Sequence, residues 1–265
     1  MTSVRRRRAA AFFDLDKTII ATSSSMAFSR SFYEGGLVTR SKALRTLYAQ
    51  FLFEVGGADA RQTARLRDAL SELVTGWDVA HVQDIVAQTL HEHIDPIVYQ
   101  EALDLIRRHQ AHGRDVVIVS ASAMEVVEPI AMLLGADAVI ASRLEVEDGR
   151  FTGEISFYAY GPAKAEALTA LANERGYDLE SSYAYSDSIT DTPMLNAVGH
   201  GFVVNPDRTL KRSAHRHGWG VLRFKQPVGL RETDAARPML VTVAAVAAVA
   251  AVWVIAATAI HRREE

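Results

Sequence analysis

Five short apolar runs, separated by segments of helical pattern, constrain the fold of this chain more than any other feature. Ala9–Leu15, Val116–Ser120, Ala138–Ala141, Ser182–Tyr185 and Phe202–Val204 are too short for buried helices and read as strands. Helical patterns lie near 123–134, 162–176, 191–197 and 207–217. Strands that are apolar throughout, rather than alternating, must be covered on both faces, so the chain reads as an α/β fold with a parallel sheet between helical layers. Glu145–Phe151 adds a β-hairpin signal, an Asp-Gly turn between alternating residues. With 49% hydrophobic and 23% charged residues among 265, the chain can bury such a core, and disordered and collagen-like classes are excluded.

Residues 24–95 break the alternation. They carry helical patterns but no convincing strand, with Gly35-Gly36, Gly56-Gly57 and Gly76 as punctuation. Pro96 then opens the way to a helix over Ile97–His112. An all-helical insert thus follows the first strand directly.

The chain has no cysteine, which rules out disulfides, thiol catalysis and cysteine-ligated metals. Its 29 Lys and Arg against 32 Asp and Glu give a net charge of −3, so no general polyanion-binding surface, and no nucleic-acid partner, is expected. Arg5–Arg8 is a local exception, whose ordinary reading is a solvated tail. The five apolar residues Ala9–Phe13 are too few for a signal peptide.

Met239–Ile260 comprises 22 residues without a charge, bounded by Arg237-Pro238 and His261-Arg262-Arg263. As a helix it would be about 33 Å long, enough to span a bilayer core. Nine of its residues are Ala, a weak insertion residue, but Thr242 and Thr258 are its only polar positions and they make no polar face. The segment is expected to be a single-pass C-terminal membrane anchor, leaving the soluble part in the cytoplasm.

Chemistry concentrates at strand ends. Asp14 and Asp16 close the first apolar run two positions apart, within Phe13-Asp14-Leu15-Asp16-Lys17-Thr18. In an open parallel sheet the ligand crevice lies outside the carboxyl ends of the strands. Ser120 ends the next strong run, where a hydroxyl and nearby backbone N–H groups can meet phosphoryl oxygens. Lys164, in Gly161-Pro162-Ala163-Lys164, offers a point charge, and Asp187 and Asp191 follow a later strand. The acids supply hard oxygen ligands of the kind Mg²⁺ prefers. Taken singly, each has an ordinary reading: Ser120 a helix cap, Lys164 a solvated residue, the acids turn or cap groups. Their order at successive strand ends argues against coincidence.

This ordered set (DLDKT, VIVSAS, GPAK, YSDSITD) resembles the haloacid dehalogenase superfamily, and the place of the helical insert is similar to its phosphoserine phosphatase-like branch. The resemblance covers residues 9 to about 222. It implies a Rossmann-like core over 1–22 and 96–225 and a helical cap over 23–95 that closes on the site; residues 226–238 then read as a linker before the anchor expected, from the uncharged run, at 239–260. The resemblance also implies that Asp14 is the nucleophile and that Asp16 protonates the leaving oxygen and later deprotonates water. Thr18, Ser120 and Lys164 would hold the phosphoryl group. Asp14, the backbone carbonyl of Asp16, and Asp187 would bind Mg²⁺, with Asp191 in support.

Two departures bear on what such an enzyme would act on. Ser186, Ser188 and Thr190 stand where this branch often has Gly, Gly and Asn, with both acids kept. Ser23 stands where phosphoserine phosphatases usually carry a Glu for the substrate ammonium, and a buried ammonium without that partner is costly. The expected function is a Mg²⁺-dependent phosphomonoesterase on a small phosphorylated substrate, membrane-tethered, with a lipid-derived phosphate suggested by location. Two alternatives stay open: a soluble-metabolite phosphatase, phosphoserine included, or a membrane-attached regulatory protein of weak turnover.

Overall fold

The computed structural model describes residues 8–38, 68, 71–225 and 227. Seven strands form one sheet: β1 (Ala10–Asp14), β2 (Asp115–Ala123), β3 (Ala138–Glu147), β4 (Arg150–Phe157), β5 (Tyr183–Ser186), β6 (His200–Val204) and β7 (Gly220–Leu222). Their order is β4-β3-β2-β1-β5-β6-β7, and only the β3–β4 pair is antiparallel. Every residue of β1 is buried. Ala10 and Phe12 face one core cluster with Val117, Ala184 and Val203, whereas Ala11 and Phe13 face another with Ile118 and Tyr185. The run of unbroken apolar residues is therefore explained by two covered faces. On one face Phe13 stacks on Tyr185 at 4.4 Å between ring centroids, and Tyr185 on Phe202 at 5.2 Å.

The Asp-Gly turn closes the β3–β4 hairpin as expected: Glu147 pairs with Arg150, and Asp148 and Gly149 take φ of 49° and 76°. Two successive positive φ values match the right-handed twist of the flanking strands.

Helices α1 (Ser24–Ala27), α2 (Ser29–Glu34) and α3 (Val79–His93) occupy the insert, before α4 (Gln100–Ala111). Further on come α5 (Met124–Leu133), α6 (Pro162–Arg175), α7 (Thr192–Asn196) and α8 (Arg208–His217). The insert is tied to the sheet edge as well as to α5. Gly76 N–H donates to Phe151 O at 2.8 Å, Phe151 N–H to Trp77 O at 3.0 Å, and Val79 N–H to Gly149 O at 3.0 Å. These bonds cover part of an edge that would otherwise present open donors and acceptors. They also place Ser71 and Thr75 directly over Gly153 of β4, where a Cβ would collide with the Thr75 hydroxyl.

Among the described residues no helix is long and apolar enough to cross a membrane, and the run Met239–Ile260 lies outside them.

Candidate active site

The parallel register sets the site. Asp14 pairs with Val119, and Phe13 with Ile118 and Tyr185, so the carboxyl ends of β1, β2 and β5 stand side by side. Leu15 then turns the chain, accepting N–H bonds from Thr18, Ile19 and Ile20, with Lys17 at φ 61°. This turn returns the Thr18 hydroxyl to the strand end, where it donates to Asp14 Oδ2 at 3.2 Å and accepts from the Asp187 N–H at 3.0 Å.

Lys164 enters from α6. Gly161 caps this helix at φ 56°, ψ −125°, a conformation that suits only glycine, and Pro162 supplies a preset first turn. A cation in the first turn opposes the helix dipole, and Lys164 is only 3% exposed. Two carboxylates compensate: its Nζ donates to Asp14 Oδ1 at 2.6 Å and to Asp191 Oδ2 at 2.9 Å. Burial disfavours the ammonium, but Asp14 and Asp191 outweigh it and hold the Lys164 pKa above its ordinary value. Asp191 Oδ2 also accepts from Ser186 Oγ at 2.7 Å.

Negative charge is in excess. Burial raises the Asp14 pKa against the pull of Lys164, and Asp191, Asp187 and Asp16 raise it further. Burial and then Asp191 push Asp187 up to about 7, with Lys17 and Lys164 opposing. One buried ammonium does not neutralise this cluster, which fits a divalent cation held by oxygen. Among the described residues no three His, Cys, Asp or Glu side chains form a metal cluster by themselves. The donor set that the family resemblance implies has only two carboxylates, Asp14 and Asp187, besides the backbone carbonyl of Asp16.

Asp16 has a separate setting. Its Oδ1 accepts from the Ser24 N–H at 2.7 Å, and its Oδ2 from Ser122 Oγ at 3.0 Å. Burial raises its pKa, with the Ser24 and Ser122 bonds opposing. The two acids of the Asp-x-Asp pair therefore have different partners, one in the ionic cluster and one against hydroxyl and amide donors.

Ser120 is fully buried beside the Asp14 strand end, and its Oγ accepts from the Ser122 N–H at 3.1 Å. Here the structure corrects the sequence reading: β2 runs on to Ala123, and α5 starts at Met124 behind Ala123, so Ser120 caps no helix. Ser24, Ser122 and Ser186 are site residues that the sequence reading did not assign. Ser122 follows Ser120 by two positions, within the irregular end of β2. Ser186 was visible only as a serine where glycine was expected.

Residues 11–196 match the family model for haloacid dehalogenase-like hydrolases. The chain belongs to that family. A Streptomyces azureus relative called an inhibition of morphological differentiation protein is 58% identical over 250 residues, 92% of this chain and 90% of its own. A probable phosphatase of Mycobacterium tuberculosis is 54% identical, covering 92% and 85%. A phosphoserine phosphatase of the same organism is 32% identical, covering 82% and 71%. Among solved structures, a Bordetella pertussis protein of unknown function matches with a TM-score of 0.71 at 27% identity, over 82% of this chain and 98% of that one. As a haloacid dehalogenase-like hydrolase, the chain carries its nucleophile candidate on β1 and its counter-charge on α6, on one side of the sheet.

Proposed function

We propose that this hydrolase is a Mg²⁺-dependent phosphomonoesterase acting through an aspartyl-phosphate on Asp14. The observation that carries this reading is the division of the acid pair: Asp14 against Lys164 in the ionic cluster, Asp16 outside it against neutral donors. A carboxylate that attacks an anionic phosphate needs its charge offset, and Lys164 is placed to offset it. An acid that must give up and take back a proton works best with its pKa moved toward neutrality, as burial moves that of Asp16.

In the first step an Asp14 oxygen bonds to phosphorus as the ester P–O bond breaks, and Asp16 gives its proton to the departing oxygen. In the second, water attacks phosphorus, Asp16 takes the water proton, and the Asp14 carboxylate is released with inorganic phosphate. Thr18 and Lys164 orient Asp14, and Ser120 lines the place where phosphoryl oxygens would lie. Asp14, Asp187 and the Asp16 carbonyl would hold Mg²⁺, which when bound supplies positive charge at the phosphoryl oxygens.

The kinship with named phosphatases favours a small soluble phosphomonoester, as a phosphoserine-type enzyme would use, over a lipid-derived one. Attachment to a membrane, with the catalytic part in the cytoplasm, rests on the uncharged run at 239–260 alone, and fractionation of the full chain tests it.

The deciding experiment is phosphate release from phosphoserine, sugar phosphates, nucleotides, lysophosphatidate and phosphatidate, in Mg²⁺ and in EDTA, beside Asp14→Asn. Metal-dependent release that vanishes in Asp14→Asn supports the reading, and the best substrate names the class. Folded protein that releases nothing from any of them would replace it with a regulatory role.

A further inference from the structure

We infer that Ser122 is a positioning residue that holds Asp16 for proton transfer and ties it to the first turn of the helical insert. The inference rests on the proposed acid–base role of Asp16 and adds the groups that make that role possible.

Asp16 lies beyond the end of β1, on a turn whose next residue, Lys17, is at φ 61°. A side chain on such a turn has no sheet neighbour to fix its rotamer, yet proton transfer requires heavy-atom approach within about 2.6–3.2 Å. The fixing is done by a closed ring of three groups. Ser24 N–H donates to Asp16 Oδ1 at 2.7 Å, Ser122 Oγ donates to Asp16 Oδ2 at 3.0 Å, and the Ser24 and Ser122 hydroxyls are 2.8 Å apart. A serine hydroxyl has one proton. With that of Ser122 directed at Asp16, the Ser24 hydroxyl must be the donor between the two serines.

Ser122 is itself held by the core. Pairing of β2 with β3 loses its regular register between Ser120 and Ala123, an irregularity of the kind that re-aims a side chain. Within it the Ser122 N–H is bound to Ser120 Oγ at 3.1 Å, and Ala121 O accepts from Ser142 Oγ at 2.7 Å. Ser142 in turn accepts from the Ala159 N–H at 3.1 Å. On the other side of the ring, Ser24 is fully buried as the first residue of α1. The ring thus joins the sheet, the acid–base candidate and the start of the insert, and Ser122 is its only member from β2.

Because Ser122 acts through Asp16, its loss should be felt where the departing oxygen needs a proton. An alkoxide needs one, whereas nitrophenolate is a stable anion and leaves without it. The test measures kcat/KM, which covers the steps through leaving-group departure, for the alkyl phosphomonoester turned over best in the substrate screen above and for p-nitrophenyl phosphate, in wild type, Ser122→Ala, Ser122→Thr and Asp16→Asn. The expected result is that Ser122→Ala loses at least about tenfold more on the alkyl ester than on p-nitrophenyl phosphate, within the range that acid–base catalysis contributes. Asp16→Asn shows the same asymmetry, and Ser122→Thr, which keeps a hydroxyl, restores much of the alkyl rate. Where Ser122→Ala melts far below wild type, Ser122→Cys, similar in size and a poor donor, is read by the same ratio. Equal loss on both substrates in the Ser122 variants, with asymmetry kept in Asp16→Asn, would overturn the role of Ser122 alone. Equal loss in Asp16→Asn as well would overturn the acid–base assignment, and this inference with it.

Discussion

Lys164 and Asp14 form an ion pair 2.6 Å long in which the two side chains are 4% and 8% exposed. The second partner of the same ammonium, Asp191, is 2% exposed at 2.9 Å. A charge so far from water is tolerable only while its partners remain. Lys164→Met should therefore remove activity and lower stability by about 3–5 kcal/mol in EDTA, measured by urea unfolding. Lys164→Arg should also be inactive, since a planar fork cannot replace a compact charge between two fixed oxygens.

Ser186 reaches the same charge cluster from β5. Its hydroxyl donates to Asp191 at 2.7 Å and accepts from the Ser188 N–H at 3.0 Å, so it bridges the turn that carries both later acids. Ser186→Ala should cost about 1.5–3 kcal/mol, the range for a hydrogen bond to a charged group. Thermal unfolding checks the stability, and Ser186→Thr should recover part of the loss.

Strands and acids were legible in the sequence for the same reason. A central strand covered on both faces is apolar up to its end, so the carboxylate that closes it, Asp14, marks the crevice edge. Lys164 was legible through Gly161-Pro162, which announce a helix start. The serines were not. Ser24 and Ser122 are 98 residues apart, and their meeting at 2.8 Å depends on how the insert packs against β2. The end of β2 was also misjudged, because Ala121-Ser122-Ala123 lacks the apolar character by which buried strands are recognised, and its irregular pairing with β3 is a tertiary property. β7 escaped notice because Gly220–Leu222 is only three residues long at the sheet edge.

Gly153 tests how the insert is fastened. It sits at φ 92° on β4, and an added Cβ would strike the Thr75 hydroxyl and approach Ser71 O at 3.1 Å. Ser71 Oγ donates to the Gly153 carbonyl, so relief by a shift would break a direct bond. Gly153→Val should destabilise by about 1–3 kcal/mol through strain at positive φ. Hydrogen exchange should show the extra opening concentrated at 71–79 and the β3–β4 hairpin, with β1 and β5 still protected.

Asp187 supplies a pH prediction whose sign is opposite to ordinary acid denaturation. Burial and the nearby Asp191 raise its pKa from 3.8 in the reference state to about 7 in the folded protein. A carboxyl raised in this way favours the folded state when protonated. Its contribution is fully present below about pH 4 and is lost as pH rises through about 7. In EDTA, Asp187→Asn should therefore melt above wild type at pH 8, with the difference shrinking toward zero or reversing near pH 4. Mg²⁺ should raise the melting temperature of wild type at pH 8 and do much less for Asp187→Asn, because the cation replaces the proton as the neutralising charge. A variant that melts below wild type at pH 8 in EDTA would show that the carboxylate is already neutralised by Lys17 and Lys164, and that the cluster has no need of a cation.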